Sequence, residues 1–89
     1  MKIVLSIFGQ DRVGIVAKVS TALAESNVNV LDINQNIMNG YFNMVMIADM
    51  KAATIPLKVL QQKLNDVGKD LGVEIKAQHE DIFNVMHRV

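Results

Sequence analysis

The sequence predicts an α+β domain in the order β-α-β-β-α-β, with a four-stranded antiparallel sheet, two helices on one face and a short C-terminal helix. Three observations lead to this prediction. Four segments alternate apolar and polar residues at the period of a strand, and two carry apolar residues at the period of a helix. Asn39-Gly40, the strongest short hairpin signal, joins two of the alternating segments. Because alternation leaves each strand one apolar face, an antiparallel sheet covered on one side is favoured.

The first part of the chain predicts one strand and one helix. Residues 2–8 alternate, so that one face of the strand carries Ile3, Leu5 and Ile7. Residues 13–26 have helical spacing, with an apolar stripe formed by Val16, Val19 and Leu23 and flanked by Ile15 and Ala22. Asn27 follows, and its residue type suits a left-handed C-terminal position.

Residues 28–38 and 41–50 predict a hairpin whose register follows from the two-residue turn. Residue 38 then opposes 41, residue 36 opposes 43, and residue 34 opposes 45. One face is apolar and carries Leu31, Ile33, Gln35 and Ile37 beside Phe42, Met44, Met46 and Ala48. The other is mixed and carries Asp32, Asn34, Asn36 and Met38 beside Tyr41, Asn43, Val45 and Ile47. Because the turn alone sorts the side chains in this way, turn and pattern support each other.

The second half of the chain predicts a long helix over residues 55–71, a strand over 73–79 and a short helix over 80–88. The long helix has Thr54 as its N-cap, Pro56 in its first turn and Gly72 after its end. Its apolar stripe is formed by Leu57, Leu60, Leu64, Val67 and Leu71, and the strand turns inward Val73, Ile75 and Ala77. The terminal helix needs a surface for Ile82, Phe83 and Met86 because so short a helix is marginal alone. This order of elements is the ferredoxin-like arrangement.

Composition narrows the class of protein. Eighty-nine residues with 51% hydrophobic content predict one folded domain over residues 1–89. The formal net charge is zero and Lys and Arg do not cluster, which argues against a nucleic-acid partner. Polar residues interrupt every apolar run, so no membrane span is expected and a cytoplasmic location is the default. A small domain this apolar gains from self-association, and a homo-oligomer, most simply a dimer, is expected.

No cofactor and no metal site are expected. Cysteine is absent, and His79 and His87 lack a third ligand at useful spacing. The loop after the first strand, Gly9-Gln10-Asp11-Arg12-Val13-Gly14-Ile15-Val16, is neither a phosphate P-loop nor a Gly-x-Gly-x-x-Gly dinucleotide loop. It does open a helix, and the unpaired first-turn N–H groups of a helix favour small anionic groups.

This loop, together with Leu23-Ala24-Glu25 and Val28-Asn29-Val30-Leu31-Asp32-Ile33, resembles the ACT domain, a regulatory module that senses amino acids. The order and length of the elements match over the whole chain. Tyr41-Phe42-Asn43-Met44 adds a likeness to stand-alone single-ACT proteins similar to the amino-terminal part of the glycine cleavage system transcriptional repressor. Val13 stands where many members have proline, and Asn27 where many have glycine.

The resemblance implies a ligand between the first loop of one subunit and the start of the second strand of a neighbour. The corresponding positions are Gly9, Asp11, Arg12, Val13 and Gly14, with Asn29 and Asp32 opposite. Backbone N–H groups near Val13 and Gly14 would take a carboxylate, and Asp11 or Asp32 would take an ammonium group. The implied partners are therefore a small molecule such as an amino acid, a second copy of the chain and a regulated protein.

Each of these residues also has a structural interpretation. Gly14 could serve helix–strand packing, Asp11 could cap the helix, and Arg12 could be solvated or paired with an acid. Asn29 could satisfy loop backbone. The row formed by Asp32, Asn34, Asn36 and Asn43 is either a solvated sheet face or a partner surface.

Four functions compete at this stage. The first is a dimeric module that senses an amino acid or related metabolite, and the second is a structural or protein–protein interaction module without a ligand. The third is an acyl-phosphate hydrolase, for which Arg12 and Asn43 are nominal candidates, although no nucleophile set is present and no enzyme is expected. The fourth is an RNA-recognition sheet, which the lack of Lys and Arg in residues 41–46 disfavours.

Overall fold

A computed structural model describes residues 1–81 and confirms the predicted order of elements. The elements are β1 (Lys2–Gln10), α1 (Ile15–Glu25), β2 (Asn29–Met38), β3 (Tyr41–Asp49), α2 (Leu57–Leu71) and β4 (Val73–His79). The helix predicted over residues 80–88 lies, apart from its first two residues, outside the described part of the chain. None of the helices within residues 1–81 is long and apolar enough to cross a membrane.

The four strands form one antiparallel sheet in the order β2-β3-β1-β4. Strands β1 and β3 are therefore central, and β2 and β4 are the edges. The face toward the helices is apolar, and its buried residues include Ile3, Leu5, Ile7, Met44 and Met46. The fold class predicted from alternation is confirmed, because each central strand buries one face against α1 and α2.

The predicted hairpin register is confirmed along most of β2. Met38 opposes Tyr41, Asn36 opposes Asn43, and the pairing continues in step to Asp32 and Ile47. There it shifts by one residue, so that Val30, not Leu31, opposes Ala48. The predicted pairing of Leu31 with Ala48 is wrong because a turn sets the register only up to the first bulge, and Leu31 is the inserted residue.

The buried face of helix α1 is turned slightly from the apolar stripe that the sequence predicted. Its buried residues are Ile15, Val19, Ala22 and Leu23. Val16 was predicted to lie on the stripe, but its side chain is 37% exposed. Because successive residues are 100° apart around a helix, Val16 falls at the margin of the arc centred between Ile15 and Val19.

Of three residues predicted to mark helix ends, two have the predicted role in the structure. Asn27 and Gly72 both have positive φ, at 56° and 72°, as their residue types predicted. The N-cap of α2 is Pro56, so the assignment of Thr54 as N-cap is wrong. The Thr54 hydroxyl instead donates a 3.3 Å hydrogen bond to the carbonyl oxygen of Ser26, which ties the β3–α2 connection to the end of α1.

The two helices leave strand β2 uncovered. Phe42, Met44 and Met46 on β3 are buried, whereas Ile33 and Ile37, which oppose Met46 and Phe42 on the same face, are about half exposed. The predicted apolar face is therefore real, but within residues 1–81 only its β3 half is covered. An apolar strip along an edge strand is unusual for an isolated domain, since such edges invite pairing with another chain.

Candidate functional site

The loop between β1 and α1 ends at an uncapped helix start. Gly14 is the N-cap of α1, with φ 95°, and no side chain caps this terminus. The interpretation of Asp11 as the helix cap is therefore wrong, because the helix begins four residues later, at Ile15. The first-turn N–H groups remain free of a side-chain acceptor, and the helix dipole adds partial positive charge there.

The backbone conformation at position 14, and not close packing, is the reason for a glycine there. A Cβ atom at this position would meet nothing within 4 Å. Its φ of 95° lies in the region that side-chain-bearing residues rarely adopt. The helix–strand packing interpretation of Gly14 is therefore wrong, and the space beside its Cα is open to a ligand. Val13, the preceding residue, is almost fully exposed.

Two hydrogen bonds hold the loop in place. The backbone N–H of Asp11 donates to the carbonyl oxygen of Gly40 at 2.8 Å, which draws the loop toward the hairpin turn. Arg12 donates from Nη1 to the carbonyl oxygen of Leu71 at 2.8 Å. Arg12 is exposed to solvent, as its structural interpretation expected, and its guanidinium group also donates to a carbonyl group that the C terminus of α2 leaves without an intrahelical partner.

Gly9 allows β1 and β4 to approach closely. A Cβ atom there would lie 2.7 Å from Cγ1 of Val73 and 3.0 Å from its Cα. The two residues face each other across the β1–β4 pair. Gly9 therefore acts on the site indirectly, by fixing the end of β1 from which the loop departs.

Asn29 and Asp32 lie at the other end of the sheet from this loop. Asn29 opposes Asp49, which opposes Lys2 at the start of β1, whereas Gly9 is near the end of β1. Seven residues of strand separate the two rows, or about 23 Å. Asp32 is exposed, and its Oδ1 accepts a 2.9 Å hydrogen bond from the N–H of Ile33. One copy of the chain therefore does not bring the two halves of the predicted site together.

The two edge strands differ in how they are protected. On β4, Nε2 of Gln61 donates a 2.7 Å hydrogen bond to the carbonyl oxygen of Ala77 and so occupies an edge acceptor. On β2, the side chain of Asp32 is the one described group that bonds to an edge N–H, that of Ile33. Edge β2 also carries the half-exposed side chains of Leu31, Ile33 and Ile37. Of the two edges, β2 is the one suited to pairing with another strand.

The helix-free face of the sheet carries the polar row foreseen from the sequence. Its residues line an open depression of about 470 Å³, namely Asp32, Asn34, Asn36, Asn43, Val45 and Ile47. Next to it lie the stacked rings of Phe8 and Tyr41, with centroids 5.8 Å apart. Sequence reasoning missed this aromatic pair, although the alternation of residues 2–8 placed Phe8 opposite the core face. Among residues 1–81, no three His, Asp or Glu side chains gather as a metal site would require.

Comparison with known proteins agrees with this fold. A family model for the ACT domain matches residues 2–78. A UPF0237 protein of Methanocaldococcus jannaschii is 48% identical over 88 residues, covering 99% of this chain and 98% of the relative. An ACT domain protein from Streptococcus pneumoniae superposes with a TM-score of 0.81 at 32% identity, covering 93% of each chain.

A fourth comparison concerns the likeness seen in residues 41–44. A protein described as a glycine cleavage system transcriptional repressor superposes with a TM-score of 0.73, covering 89% of this chain and 47% of that one. At 18% identity this similarity shows a shared fold alone. The match over residues 2–78 and the close single-domain relatives together decide the family. The chain belongs to the ACT domain family, whose members are small-molecule regulatory modules.

Proposed function

We propose that this protein is a homodimeric sensor that binds an amino acid between its two copies and passes the signal to a partner protein. The observation that carries the proposal is the separation of about 23 Å between the loop and Asn29 within one copy. A site built from both parts requires a second copy. The exposed apolar edge of β2 is where that copy would attach.

Two-fold pairing of the β2 edges would complete such a site. An antiparallel pair centred near Asn34 sets residue 29 of one copy opposite residue 39 of the other. Residue 39 belongs to the hairpin turn, and the N–H of Asp11 bonds to Gly40 in that same turn. Asn29 and Asp32 of the second copy would thus approach the loop of the first, and the symmetry would create two equivalent sites.

The chemistry of the paired site suits a zwitterion. The uncapped N terminus of α1 offers N–H groups to a carboxylate, with open space beside Gly14. Asp11 of one copy and Asp32 of the other are exposed carboxylates that suit an ammonium group. Arg12 is engaged with Leu71, so in this proposal it orients the loop and does not bind the ligand.

The same arrangement does not support catalysis by the hydrolase candidates. Arg12 reaches the C terminus of α2, in the helix layer. Asn43 opposes Phe8 and lies on the helix-free face. The two side chains therefore lie on opposite sides of the sheet and cannot act on one substrate. A binding module is the function that the arrangement favours.

The test combines oligomeric state with ligand binding. A thermal-shift screen of the twenty amino acids identifies the ligand, since specific binding raises the melting temperature. Ile33→Lys places a charge on the β2 edge and is expected to yield a monomer by sedimentation equilibrium, with ligand binding lost in calorimetric titration. Val59→Lys, at an apolar residue of α2 exposed to a similar degree, is the matched control and should keep both properties.

Each outcome of this test bears on one part of the proposal. A dimer that no amino acid stabilises would favour the interaction module without a ligand. A monomeric wild-type chain that still binds an amino acid would overturn the shared site. Loss of dimerisation in Val59→Lys, with Ile33→Lys unaffected, would place the interface on the helix layer instead of the β2 edge.

A further inference from the structure

The aromatic pair on the helix-free face lines a cavity whose lining contains none of the residues assigned to the amino-acid site. Phe8 on β1 and Tyr41 on β3 stack with ring planes 3° apart, and they are 52% and 48% exposed. Their separation of 5.8 Å falls within the usual range for interacting aromatic rings. The chain has three Phe and one Tyr, so half of its aromatic residues stand at this one place on the open face.

Amide side chains surround the two rings. The cavity has a volume of about 260 Å³ and is lined by Phe8, Asn36, Met38, Asn39, Tyr41 and Asn43. Asn43 of β3 pairs with Asn36 of β2 on one side and with Phe8 of β1 on the other. Within the described residues, the side-chain amides of these asparagines make no hydrogen bond to protein. Each amide offers both a donor and an acceptor beside an apolar, stackable surface.

Within the described part of the chain, none of the side chains that line the cavity is charged. Among the residues paired with Phe8, the charged one is Glu74 of β4. Its Oε1 lies 3.5 Å from Nζ of Lys76. A nucleic-acid strand requires several cations along its phosphates, and this face does not supply them. A ligand that matches this lining would be uncharged, planar and able to form hydrogen bonds at its edge.

We propose that this cavity binds a single purine, as the free base or nucleoside, by stacking on the Tyr41–Phe8 platform and by hydrogen bonds to Asn36 and Asn43. A bicyclic ring offers a larger surface for stacking on the exposed face of this ring pair than a pyrimidine does. The volume of about 260 Å³ lies just under the range of drug-sized sites and suits one base more than a dinucleotide. Because no cation among residues 1–81 lines the cavity, a phosphate on the ligand is expected to add nothing to binding.

Tyr41 provides the readout, since the chain has one Tyr and no Trp. Titration with adenosine and guanosine is expected to quench Tyr41 fluorescence saturably, with uridine binding more weakly and AMP no more tightly than adenosine. Calorimetry of Tyr41→Leu should show affinity lowered about tenfold or more, because base stacking on an aromatic side chain is removed. Tyr41→Phe, read by calorimetry, should retain binding.

The amide contacts are tested with a matched pair on the same face. Asn43→Ala removes an amide that lines the cavity and should weaken adenosine binding, whereas Asn34→Ala, in the neighbouring depression, should not. Absence of saturable nucleoside binding to the wild-type chain, or equal affinity in Tyr41→Leu, would overturn the proposal. Tighter binding of a single-stranded RNA than of any nucleoside would also overturn it, in favour of a nucleic-acid surface. None of these results depends on the amino-acid ligand.

Discussion

Arg12 Nη1 lies 2.8 Å from the carbonyl oxygen of Leu71, at a sequence separation of 59 residues. This bond joins the loop before α1 to the last turn of α2. It satisfies one of the carbonyl groups that the end of a helix leaves without an intrahelical partner. Gly72, with φ 72°, completes the same helix end. The position of the proposed ligand loop is thus tied to the end of the longest helix.

Replacement of Arg12 tests the contribution of this hydrogen bond to stability. Arg12→Met removes the donor but keeps much of the aliphatic stem, and it should lower the free energy of unfolding by about 0.5–1.5 kcal/mol in urea melts. Arg12→Lys is the control and should lose less, because an ammonium group can still reach a carbonyl. An Arg12→Met variant as stable as the wild type would mean that the bond does not contribute to folding.

Gly14 is expected to resist substitution for a backbone reason. Gly14→Ala should cost about 1–2 kcal/mol of stability, since an L-residue is strained at positive φ even where its side chain meets nothing. Gly14→Asn should cost less, as Asn tolerates left-handed conformations better. Thermal and urea melts of the two variants give the comparison, and an unchanged Gly14→Ala protein would contradict the left-handed N-cap.

Because α2 has one buried and one exposed face, substitutions on the two faces should lower the free energy of unfolding by very different amounts. Leu64 is 1% exposed, and Leu64→Ala should destabilise the protein by about 2–5 kcal/mol. Lys58 is exposed on the same helix, and Lys58→Ala should cost under about 0.5 kcal/mol. Urea melts of both variants measure the difference, and equal losses would show that the buried face of α2 is assigned wrongly.

The ion pair between Lys18 and Asp70, at 2.6 Å, predicts a measurable titration shift. The Lys18 ammonium group, first by hydrogen bonding and then by charge, holds the pKa of Asp70 below its ordinary value, and Arg12 adds a smaller effect. Carboxyl NMR titration should therefore show the pKa of Asp70 rising in Lys18→Met, and rising less in Arg12→Met.

The sign of the pH effect follows from that direction. Because the folded-state pKa of Asp70 is lowered, any stabilisation by the pair is present above the unfolded carboxyl pKa of about 3.9. It is lost as the pH falls through the folded value. Both side chains are more than half exposed, so the contribution is small and salt should weaken it further. A pKa of Asp70 that does not respond to Lys18→Met would contradict the ion pair.

Some of the molecule followed from local physical chemistry alone. The Asn39-Gly40 turn set the pairing of β2 with β3 as far as Asp32, because a two-residue turn fixes the register of the strands it joins up to the first bulge. Periodicity identified every element from β1 to β4, since a helix and a strand repeat their faces at different intervals. Positive φ at Asn27 and Gly72 could be expected from their residue types.

Other features depended on contacts between distant parts of the chain. Whether Val16 and Ile33 are covered depends on where α1 and α2 lie over the sheet, and a periodic pattern does not contain that information. The bond from Arg12 to Leu71 and the stacking of Phe8 on Tyr41 join residues that only the strand order brings together.

The proposed site shows the same division between local pattern and tertiary structure. The amino-acid sequence by itself determined which residues could bind a zwitterion, because residue type decides charge and hydrogen-bonding capacity. Only the tertiary structure decided that Gly9, from which the loop departs, and Asn29 lie at opposite ends of one sheet. The distance between them is set by strand length and pairing order, which are properties of the folded chain.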